Sequence, residues 1–271
     1  MRRKRLTEIF PALIPLRQKQ RRACWFLAMH LDGNRYAKTQ LQNQLPYEQY
    51  AFTCPMINTA TGSDLTYQYN KAENLKIAAK KLDGLMIYPG ETFSLCLSIR
   101  NADQKTPYKE ALIVVNDKLT SAKGGGLCQL SNMLYWTFLN SPLTVTERHP
   151  HRQTDFPDAN IRIHGTDATI VSGWLDLKVK NTTGYAYQIV ITFRKDQMCT
   201  ALRTNDPHTV RYIFRNADTV YYRQNGHVYE DTDVMRYDAS LHQELKLYRN
   251  HTEIGYELPE GTYIEERGNT Q

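Results

Sequence analysis

Long apolar runs are missing from this 271-residue chain. No stretch approaches the ~20 consecutive apolar residues that a helix needs to cross a bilayer. The N-terminal apolar segment covers only residues 9–16, contains two prolines and is not followed by the small-residue cleavage site of a signal peptide. We therefore expect neither a membrane span nor an export signal.

Paired cysteines are also missing. The five cysteines are odd in number, widely spaced and never arranged as Cys-x-x-Cys. Disulfide scaffolds and structural zinc sites are typically built from paired cysteines. We therefore expect a reduced, cytoplasmic protein, which could still associate with the inner membrane surface.

An excess of positive charge is missing outside the first 22 residues. That segment carries eight of the 34 basic and one of the 28 acidic residues, so the rest of the chain has 26 basic and 27 acidic residues. A nearly neutral body argues against a nucleic-acid partner. Residues 1–22 could rest on an anionic membrane; the alternative is a solvated or locally docked arm.

The most informative motif is GGGLCQLS, residues 124–131, which leads into an apolar run ending at Leu139 and stopped by residues 140–142. This pattern predicts a loop that enters a buried helix, with Cys128 in its first turn. Unpaired amides at a helix N-terminus lower the pKa of a thiol and favour the nucleophilic thiolate. The alternative is a cysteine that packs as a small apolar side chain.

Two residues downstream of Cys128 fit a catalytic series. His151 follows after 23 residues and Asp167 after a further 16, in the order nucleophile, base and orienting acid. Gln129 could donate to an oxyanion together with the Cys128 backbone N–H, or cap its own helix turn.

The segment ERHPH, residues 147–151, allows other roles. Arg148 could clamp a carboxylate or phosphate, or pair with Glu147 as an ordinary surface ion pair. His149 and His151, with Cys128 or His164, could form a zinc site. Because Pro150 disrupts regular strand geometry, we predict no metal and no other cofactor.

The chain is predicted to be an α+β protein, with the helix that starts at the Gly-Gly-Gly-x-Cys motif packed on a mainly antiparallel sheet. We expect a helix over 72–82, strands over 92–97 and 111–115, and a β-rich part from 161 onward. Turn signals at 224–226 and 249–252 predict two hairpins. The predicted domains are a basic arm (1–22), an α+β domain (23–205) and a small β-rich appendage (206–271).

The motifs together resemble the VanW family, from the N-terminus to at least Phe193. The positions that carry the resemblance are Gly124, Gly125, Gly126, Cys128, Gln129, Ser131, Glu147, Arg148, His151, Gly165, Asp167, Ala168 and Thr169. The family is linked to glycopeptide (vancomycin) resistance and to the cell wall, and its biochemical activity is not established. The resemblance thus implies a wall precursor, or other resistance-cluster proteins, as partners.

Three functions remain open at this point. The first is a thiol hydrolase or acyl-transferase on amides of peptidoglycan precursors, with Cys128, His151, Asp167 and Gln129 as catalytic residues. The second is an accessory protein that binds a precursor or partner without chemistry, through Gly124, Gly125, Gly126, Ser131, Glu147, Arg148 and Thr169. The third is a membrane-surface scaffold in which the motif is structural only.

Overall fold

The computed structural model describes residues 10–59, 64–115, 118–154 and 163–268. A short 3₁₀ turn, Pro11–Leu13, precedes the first helix. Four α-helices lie in the described residues: α1 Ile14–Ala28, α2 Leu65–Ala79, α3 Leu95–Ser98 and α4 Cys128–Leu139. None of them is long and apolar enough to cross a membrane.

Fifteen strands in the described residues form three larger sheets and one hairpin. In chain order they are β1 Arg35–Tyr36, β2 Tyr47–Pro55, β3 Met86–Ile87, β4 Glu91–Ser94, β5 Glu110–Val115, β6 Lys118–Lys123, β7 Thr144–Glu147, β8 Gln153–Thr154, β9 Lys178–Lys180, β10 Tyr187–Arg194, β11 Gln197–Thr204, β12 Tyr212–Gln224, β13 His227–Asp238, β14 Gln243–Ile254 and β15 Ile264–Glu266. The sheet orders are β1-β4-β9-β7, β2-β11-β10-β3 and β15-β12-β13-β14-β8, and β5 pairs with β6. Most pairs are antiparallel; β1/β4, β12/β15 and β8/β14 are parallel. The predicted α+β class is confirmed.

Helix α4 is the central element of the core. It begins at Cys128, shortly after the glycines, and ends at Leu139, before the residues 140–142 that the sequence predicts as its stop. Its apolar residues, among them Leu130, Leu134 and Phe138, are fully buried. It packs on β2 and β11, and the Phe138 ring lies 5.1 Å from that of Phe93 on β4. This packing fixes the position of the helix N-terminus, where Cys128 lies.

The helix expected over 72–82 is found as α2, but it both begins and ends earlier, at Leu65 and Ala79. Helix α2 begins at Leu65 because the Asp64 carboxylate accepts a hydrogen bond from the Thr66 amide, an N-cap that the apolar spacing did not reveal. The strand expected over 92–97 is right only in its first half: β4 ends at Ser94, and Leu95–Ser98 form helix α3, whose first turn is capped by the Ser94 hydroxyl. The strand expected over 111–115 lies within β5. The β-rich part expected from 161 onward begins partly outside the described residues, which resume at residue 163.

The C-terminal sheet contains one of the two predicted hairpins. Strands β12 and β13 flank Asn225 and Gly226, whose φ angles are both positive, as a tight turn requires. The second hairpin, predicted at 249–252, is wrong: β14 runs unbroken through these residues and pairs with β13. Asn250 and Thr252 are buried along it and hydrogen-bond to each other. In the sequence, these buried polar residues therefore have the same pattern as the polar residues of a turn.

The C-terminal sheet packs against the rest of the described chain. β14 pairs with β8, and the Tyr248 hydroxyl lies 2.7 Å from the Tyr135 hydroxyl of α4. The Phe214 ring lies 5.0 Å from that of Trp136. These contacts bring β14 beside the segment that follows β7. The domain boundaries at 22/23 and 205/206 stay predictions.

Candidate active site

The thiol of Cys128 lies at the N-terminus of α4, in the first helical position. Cys128 is half-buried, and its sulfur lies 3.6 Å from the Thr169 hydroxyl. The His151 side chain and the Ile170 backbone N–H lie close enough to the sulfur to lower its pKa. The Cys128 N–H has no carbonyl acceptor among the described residues, since the first amides within the turn to be bonded are those of Gln129 and Leu130. The thiol is therefore surrounded by hydrogen-bond donors.

The imidazole of His151 is held by Asp167. Its Nδ1 atom lies 2.5 Å from Oδ2 of Asp167, and the His151 backbone N–H donates to the same oxygen at 2.6 Å. Two bonds to one carboxylate oxygen fix both the backbone and the ring orientation. Because Nδ1 is occupied by Asp167, Nε2 is the ring nitrogen left to face the thiol.

The Cys128 thiol and the His151 imidazole shift each other's pKa, and each shift favours the charged form of the group. Burial raises the pKa of Cys128, but the hydrogen bond and charge of His151, with the Ile170 N–H and Thr169 hydroxyl, outweigh burial and lower it. Burial lowers the pKa of His151, but Asp167 and Cys128 outweigh it and raise the pKa to about 10. The arrangement stabilises a thiolate–imidazolium pair.

Arg148 holds the other side of the same carboxylate. Its Nη2 donates to Asp167 Oδ1 at 2.8 Å and to the Gly165 carbonyl at 2.6 Å, and its Nε donates to the Asp167 carbonyl at 2.7 Å. Asn250 Oδ1 accepts from its Nη1 and Nη2. The guanidinium also lies over the rings of Tyr135 and Tyr248, at 5.4 and 4.9 Å. The Arg148 guanidinium is thus held in place by hydrogen bonds and ring contacts to other residues of the protein.

The segment 167–170 is fastened to α4 by hydrogen bonds. The Ser131 hydroxyl donates to the Cys128 and Ala168 carbonyls. Asn132 Oδ1 accepts from the Ala168 N–H at 2.8 Å. The Thr169 N–H donates to the His149 carbonyl at 2.8 Å, which ties the same segment to ERHPH. The three motifs are therefore one hydrogen-bonded unit around the thiol.

Glu147 serves a neighbouring ion-pair network. It lies 2.9 Å from Lys178 Nζ and 3.0 Å from His149 Nε2, and it accepts from the Asp176 N–H. Burial raises the pKa of Glu147, but these partners, Lys178 first, outweigh burial and lower it. Like Arg148, Glu147 is held by hydrogen bonds and ion pairs to other residues of the protein.

The three glycines make close contact with neighbouring chain. A Cβ on Gly125 would lie 2.3 Å from the Ala111 carbonyl oxygen, and one on Gly126 would lie 2.1 Å from the Lys71 side chain. Gly126 also has a φ of 86°. These positions favour glycine for packing and backbone geometry. Their role in binding a ligand stays a prediction.

Gln129 points away from the expected oxyanion position. Its Nε2 donates to the Pro55 carbonyl at 2.6 Å and contacts the Cys54 sulfur at 3.5 Å. Its Oε1 is buried and has no hydrogen-bond partner among the described residues. In this arrangement the amide hydrogens are already used, so the Cys128 N–H is the better placed oxyanion donor.

Metal ligands are not grouped here. Across the four described ranges, no set of three or more His, Cys, Asp or Glu residues could hold a metal ion. His164 pairs with Glu230 on the C-terminal sheet at 2.7 Å. His149, as described, pairs with Glu147.

Three residues that support the site were not predicted from the sequence. Asn132 stands in the apolar helix, and its polarity within that run is the signal that could have identified it. Tyr248 and Asn250 come from β14, far along the chain, and no local pattern links them to the motifs. Tyr248 donates to the Gly165 carbonyl at 3.0 Å.

The described residues thus bring together, in an α+β fold, a thiol at a helix N-terminus, an imidazole that acts on its pKa and a carboxylate bonded to that imidazole. Residues 70–203 match the family model described as "VanW like protein". The chain is 44% identical to the vancomycin B-type resistance protein VanW of Enterococcus faecalis, over 98% of this chain and 99% of that protein. It is 29% identical to the uncharacterized protein YoaR of Bacillus subtilis, over 41% of this chain and 36% of that protein. No solved structure matches the chain. The chain belongs to the VanW family.

Proposed function

We propose that the protein is a cysteine hydrolase or acyl-transferase that acts on an amide of a cell-wall precursor. The observation that carries the proposal is the series Cys128, His151 and Asp167, in which Asp167 hydrogen-bonds the His151 ring and the His151 side chain lowers the pKa of the Cys128 thiol. The similarity to a vancomycin B-type resistance protein supports an accessory role in glycopeptide resistance. It is also the reason for choosing precursor amides as the substrate class.

The reaction follows from the charges at the site. The Cys128 thiolate attacks the amide carbonyl carbon, and the oxygen of the tetrahedral intermediate accepts from the Cys128 N–H. The C–N bond breaks as the His151 imidazolium gives its proton to the leaving amine, which leaves a thioester. Water or a second amine then attacks the thioester and gives a proton to His151. The products are a free acid or a new amide, and the thiolate is regenerated.

Asp167 and Arg148 orient the base in this scheme. Asp167 fixes the His151 ring and stabilises its positive charge. Arg148 neutralises the same carboxylate from the opposite side and lies 11% exposed. Because Arg148 and Glu147 are held by protein partners, the alternative of a ligand clamp built from them has less support than the catalytic series.

Trapping of the acyl intermediate tests the proposal. The protein is incubated with a muramoyl-pentapeptide nucleotide and with an activated ester, and intact-mass and peptide analysis follow the acyl group. We expect acylation at Cys128 that is lost in Cys128→Ser and strongly slowed in His151→Ala.

Cys199→Ser is the matched control, because Cys199 is also half-buried and belongs to strand β11. It should acylate at Cys128 as the wild type does. No acylation at Cys128 by either reagent would overturn the proposal. Acylation by the ester alone would keep the chemistry and overturn the substrate class.

A further inference from the structure

Helix α1 extends from the body of the protein. Residues 12–24 are all exposed, and the helix is anchored near its C-terminal end by the buried Phe26 and by Met29, which follows it. Lys178 Nζ lies 5.6 Å from the Trp25 ring centroid, and the Arg100 guanidinium lies 4.3 Å from that of Phe26. More than two turns of helix therefore have no covering element among the described residues.

One face of α1 is apolar and bordered by positive charge. Leu16, Ala23 and Leu27 are spaced at i, i+7 and i+11, which places them on one side of a helix, with Gln20 as the polar residue between them. Leu16 is 65% exposed and Leu27 is 62% exposed. Arg17 and Lys19 lie on either side of Leu16 in the helical projection. An exposed apolar strip between basic residues is the pattern of a helix that lies in a membrane interface.

The charge distribution selects the occupant of this face. Residues 1–22 carry eight basic residues and one acidic residue, whereas the remainder of the chain has slightly more acidic than basic residues. A second copy would bring two such segments together, and their like charges would repel. An anionic lipid surface supplies both opposite charge and an apolar layer for Leu16 and Leu27.

The helix also contacts the turn that follows the candidate site. The Arg21 guanidinium lies 5.5 Å from the Trp174 ring centroid, and the Arg22 backbone packs against Gly173. This turn is closed by hydrogen bonds between Val171 and Leu175. It directly continues the segment whose Thr169 and Ile170 contact the Cys128 thiol. The lipid-facing helix and the thiol are thus attached to the same short segment.

We propose that α1 docks the protein on an anionic membrane surface and so presents the Cys128 site to substrate held at that surface. The docking rests on the exposed face of α1 and on the charge of residues 1–22, and it does not depend on the proposed function. The statement about substrate also rests on the proposed function, because it assumes acyl transfer at Cys128. The substrate class that follows is a precursor amide carried on a lipid.

Vesicle sedimentation tests the docking. The full chain is mixed with vesicles of phosphatidylglycerol and phosphatidylcholine, or of phosphatidylcholine alone. We expect binding to the anionic vesicles, weakened by salt, and little binding to the neutral ones. The double variant Arg17→Glu/Lys19→Glu should weaken binding by more than about tenfold, since each basic residue near the surface contributes about fivefold. Leu16→Ser/Leu27→Ser should also weaken it.

Lys80→Glu/Lys81→Glu is the matched control, because it reverses two exposed charges at the end of α2. It should bind as the wild type does. Equal binding to both vesicle types, no binding, or equal loss in the control would overturn the docking. A concentration-dependent dimer that Leu16→Ser/Leu27→Ser abolishes would assign the face to a second copy and overturn it as well.

The docking and the proposed function can fail separately. Alkylation of Cys128 should be unchanged in Arg17→Glu/Lys19→Glu, because these residues do not contact the site. Lipid binding with an unreactive Cys128 would support the docking and overturn the catalytic role. An activated Cys128 without lipid binding would overturn the docking alone.

Discussion

The Nδ1 atom of His151 lies 2.5 Å from Oδ2 of Asp167, and the backbone N–H of His151 is bonded to that same oxygen. Arg148 contacts the other carboxylate oxygen. A single carboxylate therefore joins the base of the candidate site to a buried cation. His151 would take part in the chemistry, whereas Asp167 and Arg148 hold it in place.

Arg148→Met should destabilise the protein strongly. It removes one of the donors to the Asp167 carboxylate and one of the donors to the Gly165 carbonyl, and breaking a largely buried ion pair by removing one partner costs about 3–5 kcal/mol. The measurement is the free energy of unfolding in urea.

Arg215→Met is the control for the Arg148 variant. Arg215 makes a two-bond contact with Glu244, at 2.7 Å for each bond, but both side chains are exposed. Its loss should cost less than about 1 kcal/mol. Equal costs for the two variants would contradict the structural role given to Arg148.

Gly125→Ala should destabilise the loop before α4. The added methyl group would meet the backbone oxygen of Ala111, and overpacking of this kind costs about 1–3 kcal/mol. Gly184→Ala, where no atom lies within 4 Å and φ is not positive, should stay within about 0.5 kcal/mol of the wild type. Thermal unfolding compares the two, and a mild Gly125→Ala would contradict the close packing.

Asp167→Asn should make the free energy of unfolding less dependent on pH in the acidic range. Burial raises the pKa of Asp167, but His151 and Arg148 outweigh burial and lower it. The folded pKa is then below the unfolded value of about 3.9. The stabilisation is present above the unfolded value and is lost as the pH falls through the folded one.

The free energies of unfolding of wild type and Asp167→Asn should therefore differ most near neutral pH and converge below about pH 4. Denaturation in urea across this range is the measurement. A difference that stays constant with pH would show that the ionised carboxylate is not the source of the stabilisation.

Much of the site could be predicted because its strongest signals are local. The glycines followed by Cys128 and an apolar run predicted a helix start, and α4 begins at that residue. The order of Cys128, His151 and Asp167 suggested a series that the structure brings together. The catalytic role of that series stays a prediction.

The residues on β14 that hold the site in place could not be predicted, because this strand is distant from the motifs in the sequence. Asn250 contacts Arg148, yet the residues around it were interpreted as a turn. A polar residue that is buried and bonded inside a sheet has the same local sequence signal as a polar residue in a hairpin loop. Only the pairing of β14 with β13 and β8 separates the two cases.

The pH dependence of Cys128 alkylation by iodoacetamide, followed by peptide mapping, tests the central claim most directly. Cys24 is exposed on α1 and gives an internal reference in the same chain. We predict that Cys128 reacts as a thiolate well below the free-cysteine value of about 8.5, and that His151→Ala moves only the Cys128 profile to higher pH. An unreactive Cys128, or a profile that does not move in His151→Ala, would contradict an activated nucleophile at this site.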